Sequence, residues 1–283
     1  MNGPVRRLIV TADDFGAARE VNAAVEIAHR RGVLTAASLM VTAPAAADAV
    51  ACARRNPALA VGLHLVLVEG RPALPASKVP DLVDGAGRFR SDMARAGATM
   101  AFNPAARAQL EAEIEAQFDA FAATALALDH VNAHKHFHLH PTIAGLILKI
   151  GARHGLRAAR VPVEPRRSLA LAEPEGTYSP NPVIDLWAAL ARRRFRGAGL
   201  RVPDQVFGLA WSGAMTARRL RALIDNLPPG LSEIYLHPAT GGDFEGAAAG
   251  YRYGEELAAL IAPEVIEAAR ASGARRGGFL DFL

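Results

Sequence analysis

Short apolar, β-branched runs alternate along this chain with segments whose apolar residues recur every three or four positions. The first run covers residues 7–12 and ends at Asp13 and Asp14. An unbroken run of that length predicts a strand buried on both faces, with two carboxylates at its C-terminal end. In residues 19–31, Val21, Ala24, Val25 and Ala28 share one face of a helical spiral, and Gly32 supplies the stop. Further strands are predicted at 35–41, 59–67, 128–132, 158–163, 205–209 and 233–238, with a short last one at 278–281. Helices are predicted at 44–55, 104–124, 141–154, 183–195, 217–226, 254–261 and 263–271.

Residues 69–103 and 164–184 break this alternation. Both are rich in turn-forming residues and lack a clean period, so they are expected as long excursions that shape a binding site. Leu74, Val79, Leu82, Val83 and Phe89 in the first would let it touch an apolar part of a ligand. The alternation itself predicts an α/β fold, with parallel strands inside and helices outside, closed or nearly closed into a (β/α) barrel. A dinucleotide-binding sheet fits less well, because no GxGxxG follows the first strand. One domain over residues 1–283 is expected, since a single barrel reaches that size.

Composition narrows the class. Hydrophobic residues make up 51% and charged residues 21%, a globular balance. The net charge of +4 invites a nucleic-acid reading, but no basic motif interleaved with aromatics accompanies it, so no nucleic-acid partner is expected. The arginines between 192 and 196 leave room for peripheral contact with an anionic membrane surface. Cys52 stands alone, which excludes an internal disulfide. No secretory leader and no run of about 18 apolar residues is visible, so a cytoplasmic location is expected, if membrane-associated then at the inner face. A homodimer is a further expectation.

Five of the nine histidines, His130, His134, His136, His138 and His140, fall in one segment. Imidazole is both a metal ligand and a proton carrier near neutral pH. If the segment is extended, His134, His136, His138 and His140 project from one face. A barrel of this kind collects its site at the C-terminal strand ends. Those ends would deliver Asp13 and Asp14, then His64, His134 and finally His237 to one rim. One carboxylate with two imidazoles is a three-ligand set for a divalent metal, magnesium or zinc, with positions left for water and substrate. Each residue also has an ordinary structural reading: a turn or helix cap for Asp13 and Asp14, a core histidine for His64, a plain strand end for His237.

At these residues the chain resembles the YdjC/ChbG carbohydrate deacetylases. The likeness runs through Thr11-Ala-Asp-Asp-Phe-Gly16, Gly62-Leu-His-Leu65, the segment from Asn132 to Pro141, and Leu236-His-Pro238. It implies a barrel-like fold related to polysaccharide deacetylases and metal-dependent removal of N-acetyl groups from amino sugars. Carried over by position, it makes Asp14, His64 and His134 the metal ligands, Asp13 the general base and His237 the general acid. Members commonly carry Asp-Ser where this chain has Asn132-Ala133, which removes a carboxylate that could orient a ligand. Residues 36–41 and 62–72 are also similar to the hopanoid-biosynthesis-associated members, linked to an N-acetylglucosaminyl hopanoid glycolipid. Two other functions stay open: a metal phosphoesterase, with Arg160 as phosphate ligand or else only a surface salt bridge, and a non-catalytic barrel that binds carbohydrate or lipid.

Overall fold

A ten-residue strand, β1 (Arg6–Phe15), is the centre of the sheet in the computed structural model, which describes residues 5–176 and 182–283. Around it stand β2 (Ala36–Leu39), β3 (Ala60–Leu65), β4 (Val131–Ala133), β5 (Gln205–Phe207) and β6 (Gly230–Leu236). Their order is β4-β3-β2-β1-β6-β5, and every pairing is parallel. The strand expected at 158–163 is instead a run of single bridges between the two edges of this sheet. Arg160 N–H donates to Val131 O at 3.0 Å, and Val206 N–H donates to Val163 O at 3.0 Å. Pro162 has no N–H to extend a ladder, so the segment closes the barrel without becoming a strand.

Helices cover the outside: α1 (Arg19–Arg31), α2 (Ala46–Arg55), α3 (Met93–Phe102), α4 (Pro104–Ala123), α5 (Pro141–Arg153), α6 (Arg166–Ala172), α7 (Pro182–Gly197), α8 (Ala217–Asp225), α9 (Tyr253–Ile261) and α10 (Pro263–Ala271). The sequence explains their limits. Asn103 accepts from Ala105 and Ala106 N–H at the start of α4, whose first residue is a proline. Gly32 ends α1 by donating to Ala28 O.

The strands bury both faces, and the two faces differ. Leu8, Val10 and Ala12 of β1 pack outward into the helical layer. Ile9 points inward, where it meets Ala36, Ala158, Leu231, Phe279 and Phe282 in a small apolar plug at one end of the barrel. Above the plug the inward positions turn polar: Thr11, Ser38, Asn132, Arg160 and Glu233 are all fully buried. Gly62 belongs to this layer for a steric reason. A Cβ there would lie 2.5 Å from the His130 ring.

Three expectations change. Residues 69–103 are not one structureless excursion, because α3 occupies their end. Val79, Leu82, Val83 and Phe89 are core residues, at most 6% exposed, so this loop offers no apolar contact surface through them. Glu113 of α4 pins the loop instead, accepting from Ala73 and Leu74 N–H at 2.7 and 3.0 Å. The short strand expected at 278–281 is a 3-10 turn at Leu280–Phe282, preceded by β7 (Arg275–Arg276), which pairs with the start of β1. The N–H groups of Phe279 and Leu280 donate to the Asp129 carboxylate, both at 3.0 Å, so none is left for a ladder. Within the excursion expected at 164–184, α6 forms, and residues 177–181 lie outside the described residues.

Asp129 also accepts from His130 Nδ1 at 2.9 Å, and it is 4% exposed. Replacing Asp129 by Ala leaves these donors buried without partners and should cost about 3 kcal/mol at pH 7 in urea unfolding. Burial raises its pKa, but the His130 imidazole and the two N–H groups outweigh it and hold it below the usual range. The contribution is therefore present above the unfolded pKa of about 3.9 and fades as pH falls below it. A wild-type advantage that shrinks already between pH 7 and 5 would contradict this assignment.

Candidate active site

Adjacent carboxylates on a strand point to opposite faces unless the chain turns between them. Here the turn is at Asp14 itself, whose φ of 59° is left-handed, and the β1–β2 register shifts between Ala12 and Phe15. Asp13 therefore stays inside the barrel, 2% exposed, while Asp14 reaches the rim. His64, at the C-terminal end of β3, brings Nε2 to 3.2 Å from Asp14 Oδ1. His134, just past β4, brings Nδ1 to 3.1 Å from the same oxygen. The ligand atoms of these three residues all lie within 4.8 Å of one another, a geometry that could hold a metal ion. Burial pushes the Asp14 carboxyl up, but His134 and His64 outweigh it and hold it well below the usual carboxylate range. Burial lowers the His64 pKa, and Asp13 with Asp14 more than reverses this.

The other clustered histidines do not join them. Residues 134–139 form a tight 3-10 turn, not an extended strand, with Lys135 and His136 both left-handed at φ 55°. The expected shared face of His134, His136, His138 and His140 is thereby broken. His136 contacts the Tyr235 hydroxyl through Nε2 at 2.9 Å, and burial together with Arg160 pulls its pKa down to about 3. His138 Nε2 donates to Arg160 O at 3.0 Å and is held neutral by burial and by His136. His140 caps α5, accepting from Thr142 N–H. His130 spans Asp129 and Ser38 in the core.

Beneath the three rim residues lies a buried polar layer built on Arg160, Glu233 and Asn132. Arg160 is fully buried and donates to Asp13 Oδ2 at 2.5 Å and to Glu233 Oε1 at 2.6 and 2.9 Å. It is neither a surface salt bridge nor free to bind phosphate. Burial raises the Asp13 pKa, but Arg160 and His64 overcome this and keep the carboxyl ionised. Asn132 replaces the carboxylate expected at its position. Its Oδ1 accepts from His64 Nδ1 at 2.6 Å, which leaves Nε2 to face Asp14. Its Nδ2 donates to Ser38 Oγ at 2.9 Å and to Asp13 at 3.3 Å. The signal was readable: Arg160 and Glu233 are charges inside apolar strand-like runs, and Asn132 is the register partner of His64.

His237 follows β6. Its backbone N–H donates to the buried Glu256 at 2.5 Å, and its ring packs edge-on against Tyr235 and Tyr251. All five expected residues, Asp13, Asp14, His64, His134 and His237, line one cavity of about 1260 Å³. Its other walls are largely apolar, with Met93, Ala101 and Phe102 of α3 facing Val183, Ile184 and Trp187 of α7. A second acidic and imidazole group, Glu115, Asp119 and His154, sits on the outside, where Arg153 already pairs with Glu115.

Residues 7–271 match the family model described as YdjC-like protein. The chain belongs to the YdjC-like family. Family relatives include a protein named carbohydrate deacetylase from Geobacillus stearothermophilus, 32% identical over 236 residues, which cover 83% of this chain and 80% of that one. A second, from Brevibacillus brevis, is 41% identical over 157 residues, 56% of this chain and only 58% of that protein's length. The fold of this YdjC-like chain is shared with a crystal structure from Enterococcus faecalis V583, described as a candidate cellobiose-phosphate cleavage protein. That structure superposes with a TM-score of 0.76 at 24% identity, covering 98% of each chain. No helix among the described residues is long and apolar enough to cross a membrane.

The geometry generates two expected outcomes. Alanine at Asp14, His64 or His134 should each abolish retention of a divalent ion in elemental analysis of the purified protein. Asn132→Ala should weaken zinc affinity by about ten- to a hundredfold in a competition titration, because His64 loses the partner that fixes its ring. An Asn132→Ala protein with unchanged zinc affinity would remove that orienting role.

Proposed function

We propose that the protein is a metal-dependent carbohydrate N-deacetylase, with residues 1–283 working as one domain. Its substrate in this reading is an acetylated amino sugar on an apolar aglycone, of the N-acetylglucosaminyl hopanoid type. The observation that carries the proposal is the meeting of Asp14, His64 and His134 beside Asp13 and His237 in one cavity. The family relatives named carbohydrate deacetylase support the reaction class. The apolar walls supplied by α3 and α7 support the aglycone.

Asp14, His64 and His134 would hold the ion, and two imidazoles with one carboxylate suit zinc better than magnesium. Such an ion polarises an acetyl carbonyl and lowers the pKa of a water beside it. Asp13 accepts the proton of the attacking water. Arg160 keeps it charged and, with Asn132, holds it in place, so orientation matters more here than basicity. The water oxygen bonds to the acyl carbon, and the carbon–nitrogen bond then breaks. His237 donates a proton to the departing nitrogen, which leaves as a neutral amine, while the acyl group leaves as acetic acid and loses its last proton to water to give acetate.

Acetate release from N-acetylglucosamine conjugates should be abolished by chelation and restored by added zinc; release that is indifferent to chelator would refute metal dependence. Asp13→Asn should keep the ion but lower turnover by about a hundredfold or more. His237→Ala should lose far more activity on an acetamide than on an acetyl ester, whose alkoxide leaves with less help. Equal losses on both would reduce His237 to a binding or structural role. Trp187→Ala should raise KM for a lipid-linked substrate more than for a short soluble one, and equal changes would count against an apolar aglycone. A protein that retains the ion yet releases no acetate from any conjugate is instead a carbohydrate- or lipid-binding barrel.

A further inference from the structure

The mouth of the cavity is bordered by apolar side chains turned to solvent. On α7, Val183, Leu186 and Leu190 are 57%, 58% and 44% exposed. Their i, i+3, i+7 spacing places them in one stripe along the helix. Ile184 and Trp187, on the adjoining face, line the cavity, so the stripe runs along its edge. Across the opening, Phe102 at the end of α3 lines the cavity and is 86% exposed. A globular protein seldom exposes this much apolar surface around one opening.

Basic residues accompany both edges. Arg193 lies three residues beyond Leu190 and seven beyond Leu186, hence on the stripe, and is exposed. Arg95 lies seven residues before Phe102, on the same face of α3, and is also exposed. Neither arginine makes an ion pair among the described residues. The carboxylate of α7, Asp185, is turned well away from the stripe by the helix repeat.

We propose that the α3 and α7 edges form a docking face that seats the cavity mouth on an anionic bilayer. Apolar side chains enter the interface while arginines beside them meet lipid phosphates, the arrangement of a monotopic amphipathic helix. A second copy of the chain fits less well. Four side chains fall far short of the roughly 20–30 residues per partner in a stable interface, and a copy seated there would close the opening. The inference rests on the apolar-aglycone reading only in explaining why the mouth should face lipid.

Co-sedimentation with vesicles tests it, using an equal mixture of phosphatidylcholine and phosphatidylserine beside pure phosphatidylcholine. The intact protein should bind the mixed vesicles more tightly, and added salt should weaken that binding. Leu186→Glu with Leu190→Glu should lower the partition coefficient about tenfold, and Arg95→Glu with Arg193→Glu by a similar factor. Acetate release from a soluble acetylated sugar and the melting temperature should not change, since all four positions are exposed and outside the reacting groups. Failure of the intact protein to bind, or binding unchanged in both double variants, overturns the proposal. So does a dimer in sedimentation velocity that the leucine variant dissociates, because a second copy then occupies the face. Absence of acetate release in every protein would remove the deacetylase reading and leave the docking result standing.

Discussion

A guanidinium with no solvent exposure sits at the middle of this barrel, and the arrangement of the site depends on it. Arg160 could not remain there without compensating charge, since an unpaired buried ion is very costly. Its partners, Asp13 and Glu233, come from β1 and β6, strands that pair along seven register positions. Thr11 Oγ1 adds a hydrogen bond to Glu233 at 2.8 Å, and the Tyr235 ring lies 4.5 Å from the guanidinium carbon. The segment that closes the barrel thus locks to the centre of the sheet by charge as well as by backbone bonds. Asp13 is held at both oxygens before any substrate arrives. Removing one member would strand the other two, a loss of about 3–5 kcal/mol for a broken buried pair.

Asn132 joins that charged layer to the rim. From it a chain of hydrogen bonds runs through Ser38 and His130 to Asp129, which holds the C-terminal turn. An acid, an imidazole and a hydroxyl in this order resemble a nucleophilic triad. Ser38 is fully buried beneath the rim and out of substrate reach, so the chain is a support. Its effect is to let the amide of Asn132 serve two neighbours at once, with oxygen toward His64 and nitrogen toward Asp13. A carboxylate at this position could accept from His64 but could not donate to Asp13. The Asn therefore changes how His64 and Asp13 are tied together, and does not merely remove a charge.

Much of this was legible in the chain. The parallel barrel followed from strand–helix alternation, and reading strand ends brought Asp13, Asp14, His64, His134 and His237 to one rim; the family resemblance, not the pattern, picked out Asp14, His64 and His134 among them. The histidine segment was misread because periodicity assumes regular backbone, and two successive left-handed residues, Lys135 and His136, defeat it. Nothing in local propensity favours such a conformation, which costs about 1–2 kcal/mol per residue and survives only where packing imposes it. The apolar residues of the 69–103 loop read as ligand contacts, although the packing against α4, pinned by Glu113 and Gln109, places them in the core. Pattern shows that a residue is apolar; only the fold shows which apolar surface covers it.

The left-handed turns explain why one motif yields a single rim imidazole. A regular strand would have carried His136 and His138 along the same face as His134 and set three imidazoles side by side at the rim. The turn separates them: His136, on the cavity wall, meets Tyr235 and His138 meets the Arg160 carbonyl in the core, both neutral because burial and the nearby guanidinium oppose a further positive charge. Asp14 adopts the same backbone region at the C-terminal end of β1. Strain at these two places separates groups that a straight chain would merge. It puts Asp14 and His134 together at the rim, keeps Asp13 and His138 buried, and sets His136 on the wall of the same cavity, turned toward Tyr235. The meeting of Asp14, His64 and His134 at one point, a group that could hold a metal ion, is therefore a consequence of backbone shape as much as of residue choice.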